Sequence, residues 1–168
     1  MVRKINTIDT NYHGNRNPLL EKAKLINDPK NLTEGEKIFI QDLWDTFNSL
    51  EDPLGLAANQ IWNMEIDWKN NVTNVPSVFI AVINEIPTLF INPEIRGSGG
   101  TAHNIEACFS VPNFINYKVH RKRNITIKYY SDIGEYKEEK YFFKDNQTDP
   151  MVLQHEHDHL MGKLINVK

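Results

Sequence analysis

Asp149-Pro150-Met151-Val152-Leu153-Gln154-His155-Glu156-His157-Asp158-His159-Leu160-Met161-Gly162 reads as one helix, and the rest of the chain is organised around it. Asp149 can cap the N-terminus, and Pro150 suits the first helical position, where its missing N–H costs nothing. Met151, Val152, Leu153 and Leu160 supply an apolar side, and Gly162 is a C-terminal stop. His155 and His159 are four residues apart, so both rings leave one face, the spacing at which two imidazoles bind one metal ion. Glu156 lies one residue on, about 100° around the helix, within reach of a water at that metal as a general base. The same five residues also read as a histidine-rich surface turn. His157 lies off the ligand face and is expected to be exposed or to stand behind the ligands.

Two histidines leave such a site incomplete, because a catalytic ion usually takes three protein ligands and keeps one position open. The extended pattern H-E-x-x-H-x-x-G-x-x-H fails, since Ile165 stands at its last ligand position. Cys108 is the candidate third ligand, although a single cysteine is more often a small buried residue. It lies in Glu106-Ala107-Cys108-Phe109-Ser110. A further segment, Gly55-Leu56-Ala57-Ala58-Asn59-Gln60, joins small residues to a side-chain amide. Small residues let a substrate backbone approach, and an amide N–H can donate to an oxyanion; taken alone the segment reads as helix-to-strand packing.

Outward from these segments, Thr33-x-x-Glu36 has the form of a capping box. Ile40, Leu43, Trp44, Phe47 and Leu50 then recur at helical spacing, predicting an amphipathic helix over 34–50. Asp52-Pro53 breaks it. Val78–Ile83 and Leu89–Ile91 are short apolar runs, Gly97-Ser98-Gly99-Gly100 suggests a flexible turn, and Ile125, Ile127 and Tyr129 alternate with polar residues. Asp132-Ile133-Gly134 predicts a hairpin into 136–143. Helix, strands, then helix predicts an α+β fold: a single domain over residues 1–168, with an N-terminal helix, antiparallel or mixed β-sheets and a C-terminal metal-binding helix.

The bulk numbers narrow the function. A chain of 168 residues can bury a full core without disulfides. The net charge of −3 gives no sign of a direct nucleic-acid or anionic-membrane partner. His120-Arg121-Lys122-Arg123 is the local exception and is expected to be solvated edge or loop charge. One cysteine permits no internal disulfide and suits a reducing compartment. No run approaches the ~20 apolar residues of a membrane span, and Met1–Asn6 leads into no signal core, so the cytoplasm is the expected location.

Taken together and in order, the three chemical segments resemble the polypeptide deformylase family, whose motifs are G-x-G-L-A-A-x-Q, E-G-C-L-S and Q-H-E-x-D-H; here they fall at 53–60, 106–110 and 154–159. Asn92-Pro93 after an apolar strand and Val119-x-Arg121 before another extend the likeness. The resemblance implies that Cys108, His155 and His159 hold the metal. It makes Glu156 the general base and later proton donor, and sets Gln60 and the Phe109 backbone N–H on the oxyanion. Glu106 and Arg121 would form a supporting ion pair, and Leu54, Gly55, Glu106, Ala107, Met151 and Val152 would line the substrate pocket. It implies one divalent ion, with Fe²⁺ favoured and Zn²⁺, Ni²⁺ or Co²⁺ compatible. The implied substrates are N-formylmethionyl nascent peptides, met near the ribosome by a monomeric enzyme. Four positions depart from the family pattern: Pro53 and Ala107 replace glycines, Phe109 replaces leucine, and Ile115 stands near a common substrate-facing arginine. An H-E-x-x-H peptidase and a catalytically silent binding protein are the competing readings.

Overall fold

The computed structural model describes residues 1–8, 17–111 and 117–165; Ile115 lies outside them. Helix α1 spans Glu34–Ser49, and its capping box forms as the sequence predicts, with Thr33 accepting from the Glu36 N–H and Glu36 accepting from the Thr33 N–H. Such a cap is worth about 1 kcal/mol. Phe39, Ile40, Leu43 and Phe47 bury its inner side, while Trp44 and Leu50 pack at the margin.

Five strands form one antiparallel sheet in sequence order: β1 (Gly55–Ala57), β2 (Val78–Ile83), β3 (Ile86–Glu106), β4 (Tyr117–Tyr130) and β5 (Tyr136–Phe142). Between β1 and β2 a short helix α2 (Met64–Asp67) follows a 3₁₀ turn, Ala58–Gln60. Strands β2 and β3 meet through Asn84 and Glu85, both at positive φ (47° and 66°), the backbone of a tight type I′ hairpin. The Asp132–Gly134 hairpin forms as predicted, with Gly134 at φ 75°. Phe79, Phe90 and Tyr129 stack across β2, β3 and β4, with centroids 5.0 and 4.4 Å apart, at the centre of the core.

Two sequence expectations change here. Gly97–Gly100 is no turn: it lies within the long β3, where Gly99 and Gly100 oppose Arg123 alone as a bulge, both with positive φ. Extra residues in one strand bend it without ending the pairing. Asn92-Pro93 makes a second bulge opposite Tyr129, where a residue without an N–H is tolerated. Asn92 is held at φ 51° by its side-chain amide, which donates to and accepts from the Ile26 backbone at 2.8 and 2.9 Å. The last helix, α3, spans Thr148–Leu160. Asp149 is therefore inside its first turn rather than capping it, buried and accepting from the Asn146 amide at 2.9 Å. Pro150 sits at the third position, still in the first turn where N–H groups lack helical partners. Gly162 ends the helix as expected: its N–H donates to His159 O and that of Lys163 to Asp158 O, with φ 70° at the glycine.

The N-terminal segment, which the sequence did not flag, is tied down by a buried arginine. Arg3 donates to Asp42 of α1 and to both oxygens of Asp67 of α2, the latter at 2.8 and 2.9 Å. Among the described residues no helix is long and apolar enough to cross a membrane.

Candidate active site

Strand β1 is short and wholly buried, pairing with β2 from Gly55↔Ala81 to Ala57↔Phe79. The turn that follows folds Gln60 back, and its Oε1 accepts the Ala57 N–H at 2.9 Å. That bond fixes which way the amide faces. Its Nε2 therefore points across to Ser110 Oγ at 3.1 Å and Cys108 Sγ at 4.0 Å.

Beyond the end of β3, Cys108 meets the inner side of α3. Cys108, His155 and His159 present one ligand atom each, all within 4.8 Å of one another, and Sγ lies 3.2 Å from His159 Nε2. All three are buried. His155 donates from Nδ1 to Glu106 at 2.8 Å, which leaves its Nε2 for the centre. Glu106 is in turn gripped by Arg121 through Nε and Nη2 at 2.9 and 2.7 Å, and Arg121 reaches on to Asp158 of α3. Carboxylate-oriented imidazole is the usual support for a metal ligand.

The charges define what the centre holds. Burial acts to lower the His155 imidazole, but hydrogen bonds to Cys108 and Glu106 carry it up to about 10. The place between thiol and carboxylates thus favours one positive charge. Burial, with His155 and Arg121 nearby, pushes His159 well below its usual value and keeps it neutral, with a lone pair available. A thiol and two imidazoles are a donor set for a borderline divalent ion. His159 Nδ1 and Glu156 Oε2 are buried without a hydrogen-bond partner among the described residues, further marks of a site built for added groups. The residues fit a metal ion. Burial would also raise the Glu106 carboxyl, yet the hydrogen bonds from Arg121 and His155 bring it down to about 2, so it stays an anion.

Glu156 is 3% exposed, and burial raises its carboxyl to about 7 despite the attraction of His155. It packs on Gly55, where a β-carbon would stand 2.4 Å from Oε1. Both face a cavity of about 670 Å³ lined also by Leu54, Gln60, Glu106, Ala107, Cys108, Phe109, Met151, Val152 and His155. Every residue that the sequence singled out for the pocket lines it. His159, the most deeply buried of the three ligands, does not. Leu54, at 54% exposed, and Phe109, at 40%, form an open apolar lip. The Phe109 N–H has no hydrogen-bond partner among the described residues.

A family model described as polypeptide deformylase matches residues 10–167. The chain belongs to the polypeptide deformylase family. A peptide deformylase of Pseudothermotoga lettingae is 31% identical over 156 residues, covering 87% of this chain and 81% of that relative. The crystal structure of the peptide deformylase from Thermotoga maritima superposes with a TM-score of 0.75 at 27% identity, covering 98% and 95% of the two chains. That from Legionella pneumophila gives 0.73 at 26% identity, covering 98% and 84%. As a deformylase-family chain this is a metal-dependent hydrolase, consistent with the Cys/His/His centre.

Two of the departures from the family motifs, Ala107 and Pro53, are placed by the structure. Ala107 is not among the positive-φ residues, so an alanine there carries no left-handed strain. Pro53 is half-buried and follows Asp52, which takes φ 46°. The run His120–Arg123 is not uniformly solvated, because β4 alternates. Arg121 points inward to Glu106 at 6% exposed, while His120 and Lys122 point out. His157 is half-buried, away from the ligand group. Three supporting residues were missed by sequence reasoning: Ser110, Asp158 and Gln154. The Gln154 amide pairs with both the N–H and C=O of Lys122, at 2.8 and 2.9 Å, and docks α3 on β4. Polar residues next to ligands in a motif are the signal that pointed to them.

Proposed function

We propose that this chain hydrolyses the N-formyl amide of formylmethionyl ends on newly made peptides, releasing formate and a free amine. The observation that carries the reading is the buried Glu156 carboxyl, its Oε2 without a hydrogen-bond partner among the described residues, beside the Cys108–His155–His159 group and lining a cavity. When bound, a divalent ion supplies Lewis-acid polarisation and brings hydroxide within reach near neutral pH. Cys108, His155 and His159 hold it. Fe²⁺ is the ion this reading favours, and Zn²⁺, Ni²⁺ and Co²⁺ suit the same thiolate and imidazole donors.

Glu156, poised near pH 7, takes a proton from the attacking water and returns it to the leaving amine nitrogen. Gln60 Nε2, its amide held by Ala57, and the Phe109 N–H donate to the oxygen that gains charge as water adds to the formyl carbon. Loss of one such donor costs about 10²–10³ in rate. Glu106, with Arg121, keeps His155 donating from Nδ1. The methionine side chain enters between Leu54, Gly55, Met151 and Val152, with Glu106 and Ala107 along the peptide path. One catalytic domain over residues 1–168, acting as a monomer in the cytoplasm close to the ribosome, completes the reading; its support is that the site draws on segments from Leu54 to His159.

The test is formate release from formyl-Met-Ala-Ser by the Fe²⁺-loaded chain prepared anaerobically, beside Glu156→Ala. Release by the parent, with loss in a variant that still binds metal, is the expected result. Cleavage of casein instead of formate release would point to the peptidase reading, and metal retention with neither activity to a silent one.

A further inference from the structure

Away from the Cys108–His155–His159 group the fold brings a second pair of imidazoles together. His103 of β3 and His120 of β4 are direct cross-strand partners, both exposed on the outward side of the sheet. Their rings meet edge to face, with centroids 4.2 Å apart and planes at 64°. His155 and His159 stand in nearly the same relation, at 5.1 Å and 69°. The agreement has a simple origin. Directly opposed residues on neighbouring strands hold their β-carbons about 4.5–5.5 Å apart, and residues four apart on a helix about 5–6 Å. Neither exposed ring makes a hydrogen bond or ion pair among the described residues, so their nitrogens are uncommitted. Two ring nitrogens about 2.0–2.1 Å from one ion set the ring centres roughly 5.2 Å apart at a tetrahedral angle and roughly 4.5 Å apart at a right angle. The α3 pair matches the first spacing. The cross-strand pair is nearest the second, the angle of tetragonal Cu²⁺ and Ni²⁺ sites.

We propose that His103 and His120 hold a second divalent ion, of the Cu²⁺ or Ni²⁺ class, and clamp β3 to β4 with it. The inference goes beyond the hydrolase reading and does not rest on it. Among the described residues no third histidine, cysteine or carboxylate joins the pair, so water fills the remaining positions. Lys118 and Lys122, two residues to either side of His120, share this face. The His120 ring first, and then Lys118, push His103 below its usual value, which keeps that imidazole neutral with a lone pair to give. The same lysines oppose an added cation, so this site is weaker than the buried centre. The clamp falls in the six rows from Thr101↔Lys122 to Glu106↔Tyr117, beyond the Gly99–Gly100 bulge. Of the β3 residues in those rows only Ala102 and Glu106 are buried, so little apolar packing holds them. They nonetheless carry Glu106 and Arg121, the ion pair that supports His155.

The experiment loads the untagged chain with one equivalent of Ni²⁺, dialyses it against rising Ni²⁺ and counts the bound metal. The parent should take up a second equivalent, and H103N/H120N should stop at the first. Either change alone should weaken the second uptake by about 10²-fold or more, the advantage that two donors on one frame hold over one. The melting temperature of the parent should rise as the second ion binds, while that of H103N/H120N stays level over the same range. A parent that binds one Ni²⁺ only overturns the proposal. A second ion retained by H103N/H120N sits elsewhere and overturns it too. Equal uptake of Mg²⁺, which prefers oxygen ligands, would mark attraction without imidazole and overturn it as well.

Discussion

Gly55 and Glu156 are in direct contact: a β-carbon on residue 55 would stand 2.4 Å from Glu156 Oε1 and 2.6 Å from its Cδ and Cγ. The glycine of β1 is thus the wall that fixes the carboxyl of α3. Neither strand nor helix alone reveals this, since the two residues are a hundred positions apart in the chain.

Gly55→Ala should therefore displace Glu156 while the ligands stay in place. The expected outcome is a fall in kcat of about 10²-fold, the range seen when a reacting group is misplaced by about 1 Å. Metal content and thermal melting should change little. Steady-state kinetics with metal analysis checks it; a drop in kcat that tracks lost metal would instead place the damage at the ligands.

Asp67→Ala should destabilise the fold by about 1–3 kcal/mol, since Arg3 keeps Asp42 but its Nη1 is left buried without its acceptor. Arg3 and Asp67 are both buried, and the two N–H···O bonds between them are 2.8 and 2.9 Å. Urea unfolding measures the change. Asp42→Ala combined with Asp67→Ala should cost more than the two changes taken singly, because the buried Arg3 charge then loses both carboxylates.

Tyr129 and Tyr141 both donate to Glu139, at 3.1 and 2.6 Å. Burial first, and then the Glu139 charge, push both phenols well above their ordinary value. The folded protein holds these protons more tightly than the unfolded chain. Their contribution to stability is accordingly complete below pH ~10 and is lost as pH rises beyond it. Two of the six tyrosines should fail to ionise at pH ~11, read from the absorbance at 295 nm, and should appear when the chain is unfolded. Glu139→Gln should lower both only partway, because burial is the larger cause.

Removing the metal with a chelator should abolish formate release and lower stability together. An ion present at 100 times its dissociation constant stabilises by about 2.7 kcal/mol. Anaerobic Fe²⁺ should restore both, whereas Cys108→Ala should respond to neither chelator nor metal. Calorimetry on the stripped and reloaded chain is the measurement.

Much of this was legible in one dimension. The Thr33–Glu36 cap, the helix after it, the run Val78–Ile83 and the alternation of Ile125, Ile127 and Tyr129 are local patterns whose physics acts within a few residues. So is the spacing of His155 and His159, set by the pitch of a helix. The motif order was enough to single out Cys108, Gln60 and Glu156.

Other features depend on what lies across a gap. Whether Gly97–Gly100 turns or bulges depends on the partner strand, and β4 continues past it, so the chain stays paired. Asp149 was placed one step outside its helix because a capping residue and a first-turn acid look alike until hydrogen bonds are assigned. Arg121 could not be separated from the basic run around it, since only the sheet decides which side of β4 meets Glu106. Local spacing, then, determined the helices and the main strands, and the order of the motifs singled out the residues proposed to react. Tertiary packing alone decided that Glu106 would orient His155 and that Gly55 would seat Glu156. Those relationships are fixed by burial and contact between segments far apart in sequence, where no periodicity can reach.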